Sequence, residues 1–258
     1  MTDYLQQLAE VPAIADICNA ARKNIDDVQW NRELRKQDDS FTTYIRRMSG
    51  YATAALDGAV MADDPMREPD SSAMGDVANQ GLAITAAADL EAATFMHSPM
   101  QVWARLHSII DQSQDRGRPR TTDAAQDPVH LGAAIPAELM HERLTQLAQI
   151  ITSTTAPAVL VSAITHAEVA TLRPFAQGSY LVARSCVRMI LSGKHVDEKV
   201  LSSPEFGMYS LGRSAYVSAL RAYATGTVEG ITELVQWHAS ALEAGIAGTL
   251  IALSGRDS

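Results

Sequence analysis

Aromatic residues are scarce in this sequence: four Phe, three Trp and seven Tyr, or 5% of 258 residues. So few rings leave the core to aliphatic side chains, and Ala, the residue with the best intrinsic helix propensity, is plentiful. An excess of positive charge is also missing. The formal net charge of −9 argues against broad attraction to nucleic acid or anionic membranes, while leaving room for a local basic patch. No run approaches the roughly 20 apolar residues that cross a bilayer. The start, Met1-Thr2-Asp3-Tyr4, has neither the basic residues nor the apolar run of a signal peptide. Cysteine is limited to Cys18 and Cys186, with no CxxC pair. A single disulfide is one alternative, and two buried thiols in a reducing compartment are the other and the expectation. These absences predict a cytoplasmic protein that engages neither nucleic acid nor membrane.

What is present is an ordinary globular balance, 47% hydrophobic and 20% charged residues. The periodicity predicts a succession of helices. Leu8 to Ala21 places Ile14, Ile17, Cys18 and Ala21 on one side, and a short helix is expected around Trp30 and Leu34. Phe41 to Val60 repeats the pattern, and an Asp- and Pro-containing loop, 61–72, precedes a helix from Met74 to Thr94 capped by Ser71 or Ser72. Pro99 opens a helix with Val102, Leu106, Ile109 and Ile110 on its apolar face; Pro136 opens one with Leu139, Leu144 and Leu147; Pro157 opens one through Ala167. Further helices are expected over 180–192, with Gly193 as its stop, and over 214–225 and 227–254. Between 112 and 134 the rhythm breaks, which suggests a small β-hairpin or an irregular flap. The fold class is therefore all-α, a helical bundle with at most one hairpin. Its expected organisation is a helical extension over 1–40 and a compact domain over 41–258. The histidines show no HxxxH or similar spacing, so no metal site is expected.

The informative segment is Thr165-His-Ala-Glu-Val-Ala-Thr-Leu-Arg-Pro-Phe-Ala-Gln-Gly-Ser-Tyr-Leu-Val-Ala-Arg184. A turn that opens a helix leaves N–H groups pointing outward and can hold an anion. Gly178 permits the backbone conformation, and Arg173 and Arg184 are donors suited to phosphate. The plain alternative is a helix–turn–helix in which Pro174 limits the first helix. The segment also resembles the Fic family signature, HPFx[D/E]GNGRxxR. Pro174, Phe175, Gly178 and Arg184 match it; Arg173 stands at the histidine, Gln177 at the acidic residue, and Ser179, Tyr180 and Leu181 replace Asn, Gly and the first Arg. His166, seven residues upstream, the irregular stretch Gly117–Ile135, and Tyr216-x-x-x-Leu220 with the long last helix extend the resemblance over roughly Met48 to Gly245. Thr53-Ala-Ala-Leu-Asp57-Gly58 resembles the family's inhibitory pattern [S/T]xxxE[G/N], with Asp for Glu.

The resemblance implies a Fic-like bundle and a ligand turn made of Phe175, Gln177, Gly178, Ser179, Tyr180 and Arg184, with a nucleotide of the ATP type as its candidate ligand. It places Arg173 at the catalytic position, where the family's histidine takes a proton from the hydroxyl that attacks an α-phosphate. A guanidinium stays protonated and cannot act as that base, a loss of ~10²–10⁴ in rate. Gln177 lacks the charge that holds Mg²⁺ in the family. An Asp57–Arg184 ion pair across the pocket is implied, against the reading of Asp57 as a solvated helix end stopped by Gly58. His166 is either a substitute base or a packed histidine, and Glu168 is expected on a solvated helix face. Arg116, Arg118 and Arg120 either contact an anion or simply line a solvated loop.

Three functions follow as expectations. The leading one is a Fic-like protein with a degenerate site, an inefficient AMP-transferase that retains a nucleotide or other phosphorylated ligand. The second is an active transferase with altered chemistry, using Arg173 electrophilically and His166 as base. The third is a non-catalytic interaction module whose pocket is filled by Tyr180 and Asp57. An unidentified protein partner and a second copy of the chain are the candidate macromolecular partners.

Overall fold

The computed structural model describes residues 3–255. Among them the all-α expectation holds: eleven α-helices and one 3-10 turn, Leu34–Lys36, with no strand. The helices are α1 (Tyr4–Ala9), α2 (Pro12–Gln29), α3 (Asp39–Leu56), α4 (Ala73–Phe95), α5 (Pro99–Ile110), α6 (Ala137–Ser153), α7 (Ala158–Leu172), α8 (Ser179–Gly193), α9 (Pro204–Ser210), α10 (Arg213–Ala224) and α11 (Val228–Ser254). None is long and apolar enough to cross a membrane.

α7 and α8 form the centre. Almost every residue of both is buried, so apolar and small side chains lie on all faces rather than on one stripe, and the large polar exceptions, His166, Glu168, Arg184 and Arg188, each have a partner. α4 covers α8, α3 lies on α4, and α9 sits between α3 and α11. α11 also packs on α10, α7 and α2, so Leu5, Ile14, Cys18, Ala21 and Ile25 join the same core as α7 and α8. Both thiols are free and buried, and burial raises Cys18 to about 11 and Cys186 to about 12.

Local chemistry sets most boundaries. Asp38, Ser72 and Thr227 cap α3, α4 and α11 by accepting from amides of the first turn. The expected first helix is in fact two, because Pro12 starts a new one, and α2 runs on to Gln29. α3 ends at Leu56, four residues short of expectation. Its last carbonyl accepts from the Arg213 guanidinium at 2.8 Å. Ile109 and Leu139, expected on apolar faces, are 42% and 43% exposed, each sitting just off the buried stripe of its helix. α9 was not expected from the sequence. It lies so close to α11 that a Cβ on Gly207 would stand 1.7 Å from the Ala241 carbonyl oxygen, and one on Gly245 would stand 2.0 Å from that of Ser202. A buried clamp binds α9 to the centre: Arg188 of α8 donates to Glu205 at 2.8 and 3.2 Å and to Asp89 of α4.

Residues 111–136 form bends and turns without strand pairing, the irregular of the two forms open to this segment. Pro119, Pro128 and Pro136 remove ladder donors. Two of its amides bond instead to the turn between α7 and α8: Arg120 N to Pro174 O at 2.7 Å and Gln126 N to Ala176 O at 2.8 Å.

Candidate functional site

The turn between α7 and α8 begins at Arg173, which caps α7 in the left-handed conformation (φ 44°), and ends at Gly178 (φ 71°). A non-Gly residue at such a φ carries backbone strain held by its surroundings. Those surroundings are specific. The Arg173 guanidinium is 2% exposed, donates from Nη2 to Gly132 O at 2.7 Å, and has Nη1 3.4 Å from Asp127 Oδ2. Asp127 also accepts from the amides of Leu131 and Gly132 and from the Tyr180 hydroxyl at 2.9 Å. Burial pushes the Asp127 carboxyl up, but these amides, the hydroxyl and Arg173 outweigh it and hold it below its ordinary value.

Tyr180 is buried against this carboxylate, with its hydroxyl pKa raised by burial and by Asp127. Ser179 closes the turn on itself, accepting from Phe175 N and donating to Phe175 O, both at 2.9 Å. The Phe175 ring stacks on His107, centroids 4.0 Å apart and planes 6° apart. His107 Nδ1 accepts from Gly117 N at 2.8 Å, and burial lowers its pKa against the opposing Asp111. Gln177 donates from Nε2 to Asp111 Oδ1 at 2.7 Å. Its amide is therefore occupied by the flap.

One turn into α8, Arg184 is fully buried. It donates from Nε to Thr53 Oγ1 at 2.6 Å and from Nη2 to Thr53 O at 3.0 Å, and Nη2 lies 2.8 Å from Asp57 Oδ1. The expected ion pair is thus present, with Asp57 at the C-cap of α3 and Gly58 (φ 109°) turning the chain out of the helix. Burial raises the Asp57 carboxyl above its ordinary value, opposed by Arg184 and Arg213. For Arg184, burial is outweighed by Asp57, and the guanidinium stays charged.

Arg120 and Glu168 depart from expectation, while Arg116, Arg118 and His166 take one of the two forms open to each. Arg120 is neither an anion contact nor solvated: it is 5% exposed and donates to the carbonyls of Arg173, Thr122, Ile135 and Leu172. Arg116 and Arg118 are exposed. Glu168 is 6% exposed rather than solvated, held by Arg143 at 2.8 and 2.6 Å and by the Tyr223 hydroxyl. His166 is fully buried, 3.0 Å from the Tyr216 hydroxyl, and burial drives its pKa well below the ordinary value. It stands about 10 Å up α7 from Arg173. Asp127 was missed altogether; Asp-Pro signals a turn, but nothing in the sequence says that its carboxylate faces Arg173.

No family model matches the sequence, and no curated protein matches it. Solved structures do match. A Fic family protein from Desulfovibrio desulfuricans G20 aligns over 96% of this chain and 76% of its own, at TM-score 0.71 and 16% identity. The fold is that of the Fic proteins. Fic-1 from C. elegans aligns over 94% of this chain and 73% of its own, at TM-score 0.63 and 17% identity. A Fic domain containing signaling protein from Bacteroides thetaiotaomicron aligns over 93% and 98%, at TM-score 0.59 and 15% identity. Within this Fic fold, the turn 173–178 joins the two most buried helices, α7 and α8.

Proposed function

We propose that this chain is a Fic-fold protein that does not transfer AMP and acts as a binding module, its ligand turn closed by its own side chains. One observation carries the reading: Arg173, at the family's base position, is buried and engaged with Asp127 and Gly132, while Tyr180 fills the adjoining space. A base that cannot lose its proton and a pocket occupied by a ring leave no place for the attacking hydroxyl. The residues do not fit a Mg²⁺–nucleotide either. Gln177 presents a neutral amide bonded to Asp111, and Leu181 presents an apolar side chain where the family has an Arg.

A second reading has its own support. Among the described residues Arg173 Nε and Arg184 Nη1 are buried without a hydrogen-bond partner, so a lifted flap would free the Arg173 guanidinium, and release of Asp57 that of Arg184, to hold a phosphate. The experiment combines ATP labelled at the α-phosphate, Mg²⁺ and cell extract with wild type, Asp57→Ala and Asp127→Ala. No label is expected on any protein beyond the level without the chain. Labelling that disappears in Arg184→Ala would sink the proposal. Stabilisation of Asp127→Ala by ATP or inorganic phosphate, absent in wild type, would establish the second reading.

A further inference from the structure

Away from the motif turn, two surface features complement one another. Between the 3-10 turn and the α8–α9 loop lies a groove of about 500 Å³, with Leu34 and Leu201 in its floor and Arg35, His195, Glu198 and Lys199 around it. α8 separates it from Gly178 by roughly 22 Å. Among the described residues His195 pairs with Glu198, but no carboxylate lies within 4.0 Å of the Arg35 or Lys199 nitrogens. Trp30 stands beside the groove, 72% exposed, with the Arg35 guanidinium 5.1 Å from its ring centroid. Trp and Arg dominate the energetics of protein interfaces, and an uncovered pair on a chain with few aromatics is an unusual surface. Of the groove's lining residues, His195 holds a left-handed backbone conformation (φ 56°). Such strain is often retained where a surface is used.

The complement is the loop after α3. It exposes Val60 (66%) and Met66 (49%) around Asp63 and Asp64, neither of which has a cationic partner within 4.0 Å among the described residues. The loop is held in shape, since Arg47 donates to Pro65 O at 2.6 Å and to Arg67 O at 3.0 Å, and the Tyr51 hydroxyl donates to Arg67 O at 2.6 Å. A preformed loop loses little freedom on docking. Met61 packs against the buried cluster that includes Leu34 and Leu201, so loop and groove lie over the same cluster. Patches placed side by side can be exchanged reciprocally across a two-fold axis.

We propose that this chain forms a two-fold dimer in which the acidic loop 60–68 of each copy docks in the Arg35–Lys199 groove of the other. The proposal is independent of the closed ligand turn. It is tested by sedimentation equilibrium of wild type, a groove variant (Arg35→Glu with Lys199→Glu), a loop variant (Asp63→Lys with Asp64→Lys) and Trp30→Ala, with unfolding midpoints measured to confirm that each variant is folded. Wild type is expected to dimerise at low ionic strength and to weaken as salt is added. Each charge-reversed variant is expected to weaken the dimer about tenfold or more, and Trp30→Ala similarly. An equimolar mixture of the groove and loop variants should recover a heterodimer, because each reversed groove then meets a reversed loop. A wild-type monomer at high micromolar concentration overturns the proposal and leaves the groove to another protein. Dimers untouched by the variants, or folded variants that weaken the dimer without recovery on mixing, overturn it too.

Discussion

Removing the Asp127 carboxylate should release the flap. Asp127→Ala deprives the buried Arg173 of its anion, the Tyr180 hydroxyl of its acceptor, and the Leu131 and Gly132 amides of theirs. A buried charge left without its partner costs about 3–5 kcal/mol. A lost bond to a charged group costs ~1.5–3 kcal/mol. These do not add, and the long 3.4 Å Arg173 contact and the partly exposed Asp127 side chain lower the first. The two amides are partly exposed and find water at little cost. The ceiling is the free energy of lifting the flap, since an open flap hydrates everything the carboxylate held. A loss of about 2–4 kcal/mol is expected from urea unfolding. The decisive assay is amide exchange at Arg120 and Gln126, whose bonds to Pro174 and Ala176 define the docked flap. Their exchange should accelerate roughly 30- to 1,000-fold while amides in the middle of α7 follow only the global change. Tyr180→Phe should cost ~1 kcal/mol and show coupling to Asp127→Ala in a double-mutant cycle. Stability within about 0.5 kcal/mol of wild type, with both amides exchanging at the wild-type rate, would refute the argument.

Three further outcomes follow from the same geometry. Asp57→Ala leaves the Arg184 guanidinium without its anion, with Thr53 and the Tyr216 ring beside it, so a loss of ~3–5 kcal/mol is expected by calorimetry, with Asp57→Asn intermediate; equal stability of Asp57→Ala and wild type contradicts it. Gly207→Ala should cost about 2–3 kcal/mol in denaturant midpoint because its Cβ would meet the Ala241 carbonyl at 1.7 Å, and a neutral result would mean that α9 shifts freely on α11. Asp111 and Asp127 both have pKa values held below the ordinary one. Their stabilisation is therefore present above the unfolded pKa of about 3.9 and lost as pH falls through the folded values. Flap amides should lose protection in that acid range ahead of the core, and the Asp127 share of the effect should vanish in Asp127→Asn.

The helices were legible because their signals are local. Pro99, Pro136, Pro157, Ser72 and Thr227 mark starts that the structure keeps within a residue or two. The Asp57–Arg184 pair was legible only through a resemblance, since no periodicity connects residues so far apart in the chain. Gly245 is where the chain entering α9 crosses α11; a close approach is a property of two segments and leaves no trace in one. Glu168 and Arg120 were misread for a related reason. Charged residues are exposed by default, and only a partner from another element, Arg143 for one and the α7 carbonyls for the other, makes burial tolerable.

The side chains of the turn between α7 and α8 are not independent. Arg173 needs an anion because it is buried; Asp127 supplies it, and also receives the Tyr180 hydroxyl. Gln177 bonds to Asp111, and the same stretch delivers Gly117 N to His107, whose ring stacks on Phe175. Arg173, Tyr180 and Gln177 thus find their partners in the flap. Because those partners face one another in low-dielectric surroundings, removing one strands another, and the cost of any single substitution exceeds what that residue contributes alone. Arg173→His removes one of these donors, yet Asp127 keeps the Tyr180 hydroxyl and the Leu131 and Gly132 amides, so the flap is expected to stay docked on the turn.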